Sequence, residues 1–382
     1  MQLKTTLSLI TCTLLSTASL MADDYVSVQY VHYDEDSGRT TIHTPAIEVS
    51  KDFGVDYNLK LSFVHDALSG ASPTWYDSSS GATATLPEGT LYKNDIVYGN
   101  IPYDDKRNAL GMTLTTRFAS RDELRVGVNY SDENDYTARE LSAEYLHYLD
   151  SSKNRSLSVG VSYQDNDVSV YCYEETCDSS SGGSAVSQED INVLSAEIGV
   201  TQILDATSWV SVSLFYSDEE GYLSNPYMSV VRDYATSVRL TPEHKPDTRT
   251  AYGMLLQYAK ALDDQLSAQV SYRFYDDDWD ITSHTLKTEF YYEWTQQMTL
   301  GAGLRYYVQS EASFYSSRKD FFTNEIDASS DRRMSSFDAY NLMLLGTYKV
   351  QDNVSINAGV NYYDQGDYFS AWYYTLGFTY SF

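Results

Sequence analysis

Leu124-Arg-Val-Gly-Val-Asn-Tyr130 alternates apolar residues with small or polar ones and closes on tyrosine. The pattern returns at Leu157–Tyr163 (LSVGVSY), Val210–Tyr216 (VSVSLFY) and Leu266–Tyr272 (LSAQVSY), and again at Leu300–Tyr306 (LGAGLRY) and Ile356–Tyr362 (INAGVNY). Successive side chains of a strand point to opposite faces, so each copy is a ribbon with one greasy and one wet face. Phe215 is the one apolar residue on the wet side. Six matching ribbons argue for one repeated architecture.

The alternation suits both a soluble sandwich and a transmembrane barrel with its apolar face turned to lipid. Three features favour the barrel. First, Lys4 precedes an uncharged stretch, Thr5–Ala22, with an apolar centre at Leu7–Leu15 and a small residue at Ala18 or Ala22. This reads as a secretory signal peptide, residues 1–22, followed by one barrel domain over 23–382. Cleavage as a lipoprotein at Cys12 does not fit, because Ile10 and Thr11 do not form a small-residue box. No later stretch approaches the roughly 18 apolar residues of a membrane helix, so a membrane location requires a closed barrel.

Second, the end of the chain, Trp372-Tyr-Tyr-Thr-Leu-Gly-Phe-Thr-Tyr-Ser-Phe382, alternates aromatic or apolar residues and finishes on phenylalanine. It resembles the terminal strand of bacterial outer-membrane barrels, which implies that Phe382 is the signal read by the barrel-assembly machinery. Third, tyrosine accounts for 36 residues against 13 phenylalanines and 5 tryptophans. An apolar ring with a hydroxyl suits the oil–water boundary, and the six repeat tyrosines predict one girdle.

Further alternating stretches, among them Tyr57–Phe63, Leu110–Leu114, Val193–Thr201 and Tyr340–Tyr348, bring the expected count to about 16 strands, within a range of 14–18. Links before each repeat are short, as at Ala119–Glu123. Several links after a repeat are long and acidic: Gln164–Asp190, Ser217–Asp247 and Gln309–Arg333. Short periplasmic turns and long outside loops predict an antiparallel barrel whose repeats run outward through the bacterial outer membrane.

The formal charge of −28 argues against nucleic-acid binding. An acidic lip among lipopolysaccharide and bridging cations accounts for it. Asp276, Asp277, Asp278 and Asp280 are a candidate Ca²⁺ site, because Ca²⁺ takes several oxygen ligands; no other cofactor is expected. Cys172 and Cys177 sit in a long acidic loop, where an oxidising compartment favours a local disulfide. A metal pair is the alternative there.

The six histidines form no HExxH-type pair, and no serine sits in a nucleophile elbow. His284 with Glu289 and Asp280 is the best catalytic fragment, and no enzyme is expected from it. If the Leu/Val/Tyr face meets lipid, then Lys60, Arg117, Arg125, Glu140, Glu144, Glu197, Arg273, Lys287, Glu289 and Arg305 line the lumen. Arg or Lys facing lipid at mid-height would cost about 2–4 kcal/mol. These charges suit either a porin-like constriction or a lattice that plugs the barrel, and the Asp66–Asp105 stretch is long enough to fold inward.

Asp66-Ala-Leu-Ser-Gly-Ala-Ser-Pro73, Gly221-Tyr-Leu-Ser-Asn-Pro-Tyr227, and Tyr275–Ile281 leading into His284-Thr-Leu286 together resemble an uncharacterised family of Gram-negative outer-membrane proteins, a domain-of-unknown-function family. The resemblance runs from about Tyr25 to Phe382. Asn225 departs from it, where GYxSDPY would have Asp, and so does the cysteine-bearing insert. The resemblance implies a periplasmic redox or metal-uptake setting but no substrate. The expected function is a porin-like channel for small polar solutes. The alternatives are a non-conducting barrel that binds a surface partner or anchors a periplasmic redox or metal system, and an outer-membrane hydrolase.

Overall fold

The computed structural model describes residues 24–36, 39–77, 96–171, 185–233, 238–316, 322–366 and 368–382. The expected signal peptide and the Cys172–Cys177 pair lie outside these residues. In chain order the strands are β1 (Tyr25–Glu35), β2 (Thr40–Phe53), β3 (Tyr57–Asp77), β4 (Ile96–Arg117), β5 (Glu123–Asp132) and β6 (Tyr136–Tyr148). Next come β7 (Arg155–Tyr171), β8 (Ala185–Asp205), β9 (Ser208–Gly221), β10 (Ser229–Arg232), β11 (Arg239–Pro242) and β12 (Thr248–Ala261). The last are β13 (Leu266–Asp277), β14 (Thr282–Thr295), β15 (Met298–Gln309), β16 (Phe337–Gln351), β17 (Val354–Asp364) and β18 (Ser370–Ser381).

Sixteen of them form one closed antiparallel barrel; β10 and β11 form a separate hairpin. β1 closes the wall on β18, in register from Tyr25↔Ser381 to Glu35↔Ala371. Closure leaves the wall itself without an open edge, so its ladder groups find partners without water.

The alternation in sequence becomes an inside and an outside. Outward positions carry exposed Leu110, Leu141, Leu344 and Leu376, each more than half exposed on the isolated chain. The repeat tyrosines Tyr130, Tyr163, Tyr216 and Tyr306 crown this belt at one end. A second aromatic ring, including Phe53, Tyr57, Tyr292, Trp294, Tyr348 and Tyr380, borders the other end. An apolar belt between two aromatic rings is the profile of a wall immersed in lipid.

The second ring lies at the short-turn end, where β1 begins and β18 ends. There the β2–β3 turn passes through Gly54 at φ 69°, where any side chain would be strained. At the opposite end two hairpins run far past the belt. β3 and β4 stay paired from Tyr57↔Thr116 to Asp77↔Ile96, and β7 and β8 pair from Arg155↔Gln202 to Tyr171↔Ala185. Within the described residues, then, the Asp66–Asp105 stretch does not fold inward. Its ladder hydrogen bonds carry it outward as a hairpin.

A different segment crosses the mouth. Residues 222–247, between β9 and β12, carry the β10–β11 hairpin, which rests against β3. That is six strands round the wall (β9-β8-β7-β6-β5-β4-β3). The segment packs on residues 310–336 through two apolar clusters. One joins Leu223 to Trp279, Ile281, Phe314 and Met334; the other joins Val230 to Phe322 and Ala328. Inward-facing residues near this end are sealed: Ile42, Asp66, Asn166 and Val168 are at most 2% exposed.

Candidate functional site

The bore has two chemically different walls. On the β2–β8 side, carboxylates are interleaved with bases. Lys60 lies 3.4 Å from Glu48, and Arg117 lies 3.2 Å from Asp52 and 3.8 Å from Glu123. Arg125 pairs with Glu123 at 2.9 Å and Glu144 at 3.2 Å, and Asn129 donates to Glu140 at 3.1 Å. Glu197 stands exposed on β8 and shares a recess of about 520 Å³ with Arg125, Glu144 and Phe215.

These pairs run along the wall, within one strand or between strands at most two apart, and do not span the bore. The side chains of Lys60, Arg125 and Glu144 stay 41%, 42% and 42% exposed in spite of their partners. A bore plugged by its own side chains would bury them.

The β13–β18 wall is basic and aromatic. The Arg273 guanidinium lies over Phe215 at 4.6 Å and Tyr275 at 5.4 Å; that of Arg305 lies over Tyr307 at 5.2 Å. Lys287, directly beside Arg305 in the ladder, pairs with Glu289 at 2.9 Å. The next partner of Arg305 is Asn341, which donates to the Tyr373 hydroxyl. Tyr291, Tyr307, Tyr363 and Tyr373 all point inward and are half-buried.

All ten charged residues proposed for the lumen thus face the bore. The tyrosines behind them escaped the sequence reading, although they leave a signal. Tyr291-Tyr292, Tyr306-Tyr307, Tyr362-Tyr363 and Tyr373-Tyr374 are doublets. A doublet in a strand puts one ring in the outer girdle and the other in the lumen.

Asp276, Asp277, Asp278 and Asp280 do not converge. Strand alternation sends Asp276 outward, where it accepts from Tyr252 and Thr282 at 2.6 Å each. Asp277 turns inward and is buried against Arg249 at 2.6 Å, beneath backbone donors from Trp279 and Ile281. Asp278 accepts from the Thr250 amide, and Asp280 turns the chain at φ 67°. Among the described residues, the acidic group whose oxygens do approach within 4.8 Å is Asp105, Glu133 and Asp135.

The catalytic fragment is also pulled apart. His284 lies on the outer face against the Tyr272 hydroxyl at 2.8 Å, while Glu289 faces the lumen beside Lys287.

The segment across the mouth is held by a buried charge network. Lys245, wholly buried, lies 3.4 Å from Glu243 and 3.5 Å from Asp331; Arg333 forks onto Asp331 at 2.6 Å. Burial alone would raise the Asp331 pKa, but Arg333 and then Lys245 outweigh it and hold the carboxyl below its ordinary range. Arg232 donates to the Glu325 and Ile326 carbonyls at 2.5 and 3.2 Å, fixing the β10–β11 hairpin to residues 322–328.

A family model, "Protein of unknown function (DUF3570)", matches residues 5–372. No curated protein matches the chain. Among solved structures, a "Bacterial polysaccharide outer membrane secretin" aligns at 8% identity and TM-score 0.50, covering 95% of this chain and 100% of that one. CdiB from Acinetobacter baumannii aligns at 8% identity and TM-score 0.51, covering 94% of this chain and 60% of that one. The Pseudomonas putida toluene transporter TodX aligns at 11% identity and TM-score 0.45, covering 96% of this chain and 91% of that one. At such identities the first two speak for the barrel fold alone, and the third is too loose to carry an argument.

Proposed function

The chain belongs to the DUF3570 family, and from the character of its bore we propose that it is an outer-membrane channel for small polar solutes. The observation that carries this reading is the solvent-facing charge on the inner wall. Lys60, Arg125 and Glu144 are paired yet remain about two-fifths exposed. A sixteen-strand barrel leaves an aqueous bore wherever its side chains do not fill it.

In this reading the short-turn end faces the periplasm and the end crossed by residues 222–247 faces outside. The outer belt meets lipid, and the acidic loops meet lipopolysaccharide through divalent cations. Phe382, whose amide donates to the Asp24 carbonyl at 3.1 Å beside the closing seam, is presented to the assembly machinery. The channel performs no covalent chemistry.

A second reading, a non-conducting barrel serving surface binding or a periplasmic redox or metal system, is favoured by one observation. The β10–β11 hairpin spans the mouth and rests on β3. Swelling of proteoliposomes in isotonic sugar or amino-acid solution separates the two. Swelling above that of empty liposomes supports the channel, and no swelling with folded protein supports the closed barrel.

A further inference from the structure

We infer that the Arg273–Arg305 wall of the bore is a binding site for small organic anions with a planar ring, for which benzoate is the simplest probe. The inference rests on the channel reading for how the anion arrives, and on the wall itself for what is bound.

Arg273 and Arg305 both face the lumen, yet neither forms an ion pair among the described residues. That sets them apart from Arg117 and Arg125 across the bore and from Arg249 at the rim, each held by a carboxylate. In a chain of net charge −28, two arginines left to aromatic neighbours are a specific arrangement. Their planes are supported from below: Phe215 and Tyr275 lie under Arg273, and Tyr307 lies under Arg305. Stacking fixes the guanidinium and leaves its N–H fork open. A fork of that kind matches a carboxylate in a bidentate manner.

The sequence supplies this support deliberately. Phe215 is the single apolar residue on the wet side of the six repeats, and its ring lies against Gly253, which has no side chain to displace it. On the next ladder rung, Arg305 adjoins Lys287 on one side and Asn341 on the other. The Lys287 charge is matched by Glu289, so the arginines supply the net positive charge of this wall. Tyr307, Tyr363 and Tyr373 add faces on which a second ring can lie and hydroxyls that hydrogen-bond its substituents. An anion held by Arg305 on β15 looks across the bore toward β5 and β6, where Glu140 and Glu144 disfavour it and so leave the arginine wall as its place to bind. Carboxylate and ring are therefore both required. Acetate lacks the ring, benzyl alcohol lacks the charge, and inorganic phosphate is an anion without a stacking face.

The test is calorimetric titration of the folded, full-length protein in detergent, with folding of every variant checked by heat-dependent mobility on SDS gels. Saturable benzoate binding is expected, with acetate, benzyl alcohol and phosphate each at least about tenfold weaker. Arg273→Gln and Arg305→Gln should each weaken benzoate about tenfold, while Arg139→Gln, on the outer face against Asp167, should not. Absence of saturable benzoate binding to folded wild type overturns the inference. So does unchanged binding by the double variant, and so does phosphate binding as well as benzoate. Because titration needs no conduction, a protein that swells liposomes without binding benzoate loses this site and keeps the channel. One that binds benzoate without conducting keeps the site and loses the channel.

Discussion

Phe215 lies directly over Gly253: a Cβ added at position 253 would sit 2.3 Å from the Phe215 ring and 2.2 Å from the Phe274 carbonyl oxygen. Neither contact is tolerable, and the second is to backbone. Gly253→Ala should therefore destabilise the barrel by about 1–3 kcal/mol, the usual range for overpacking. Urea unfolding in lipid vesicles measures this, and a change below about 0.5 kcal/mol would show that the wall flexes to absorb a methyl group.

The inside–outside assignment predicts opposite tolerance at neighbouring depths. Leu304 is outward and 49% exposed on the isolated chain, whereas Ser271 faces the bore. Leu304→Arg should cost about 2–4 kcal/mol in bilayers and Ser271→Arg far less. Equal costs would mean that the parity is wrong.

Residues 222–247 should act as a partial lid. Tyr227 donates to Asp135 at 2.6 Å, bridging residues far apart in the chain, and Lys245 is buried between two carboxylates. Lys245→Met leaves Glu243 and Asp331 without their shared cation, a loss of about 3–5 kcal/mol to the lid. Protease should then cut within 222–247 while the heat-modifiable barrel band persists. A lid as resistant as wild type would show that the apolar clusters alone hold it.

Acid should loosen the same lid. The folded pKa of Asp331 lies below the ordinary aspartate value of 3.8, so its contribution is complete above about pH 4. It is lost as pH falls from there through the lowered folded value. Protease resistance of the lid (with an acid-stable protease) should hold level from pH 7 to about pH 4.5 and fall below it. A drop centred near pH 6 would implicate other groups.

The barrel was legible because one face of each strand must satisfy lipid and the other water, a constraint written into every second residue from Leu124 to Tyr362. The lumen charges followed from the same parity. The sequence reading stopped where contacts between distant residues set the structure. Ser329 donates to Glu243, and Arg232 reaches Glu325, so nothing local to 222–247 reveals that it crosses the mouth. The Asp276–Asp280 run misled for the opposite reason: closeness in sequence was taken for closeness of side chains, and strand alternation sends Asp276 and Asp277 to opposite faces. The lumen tyrosines lay in plain view as doublets, hidden by their partners in the girdle.

Conduction through the bore is read by single-channel recording of folded, full-length protein in planar bilayers. Discrete conductance steps are expected, larger in a variant lacking residues 222–247, with ion selectivity shifted by Arg273→Gln plus Arg305→Gln. A protein that shows heat-modifiable mobility, yet gives no steps even without residues 222–247, would contradict the account.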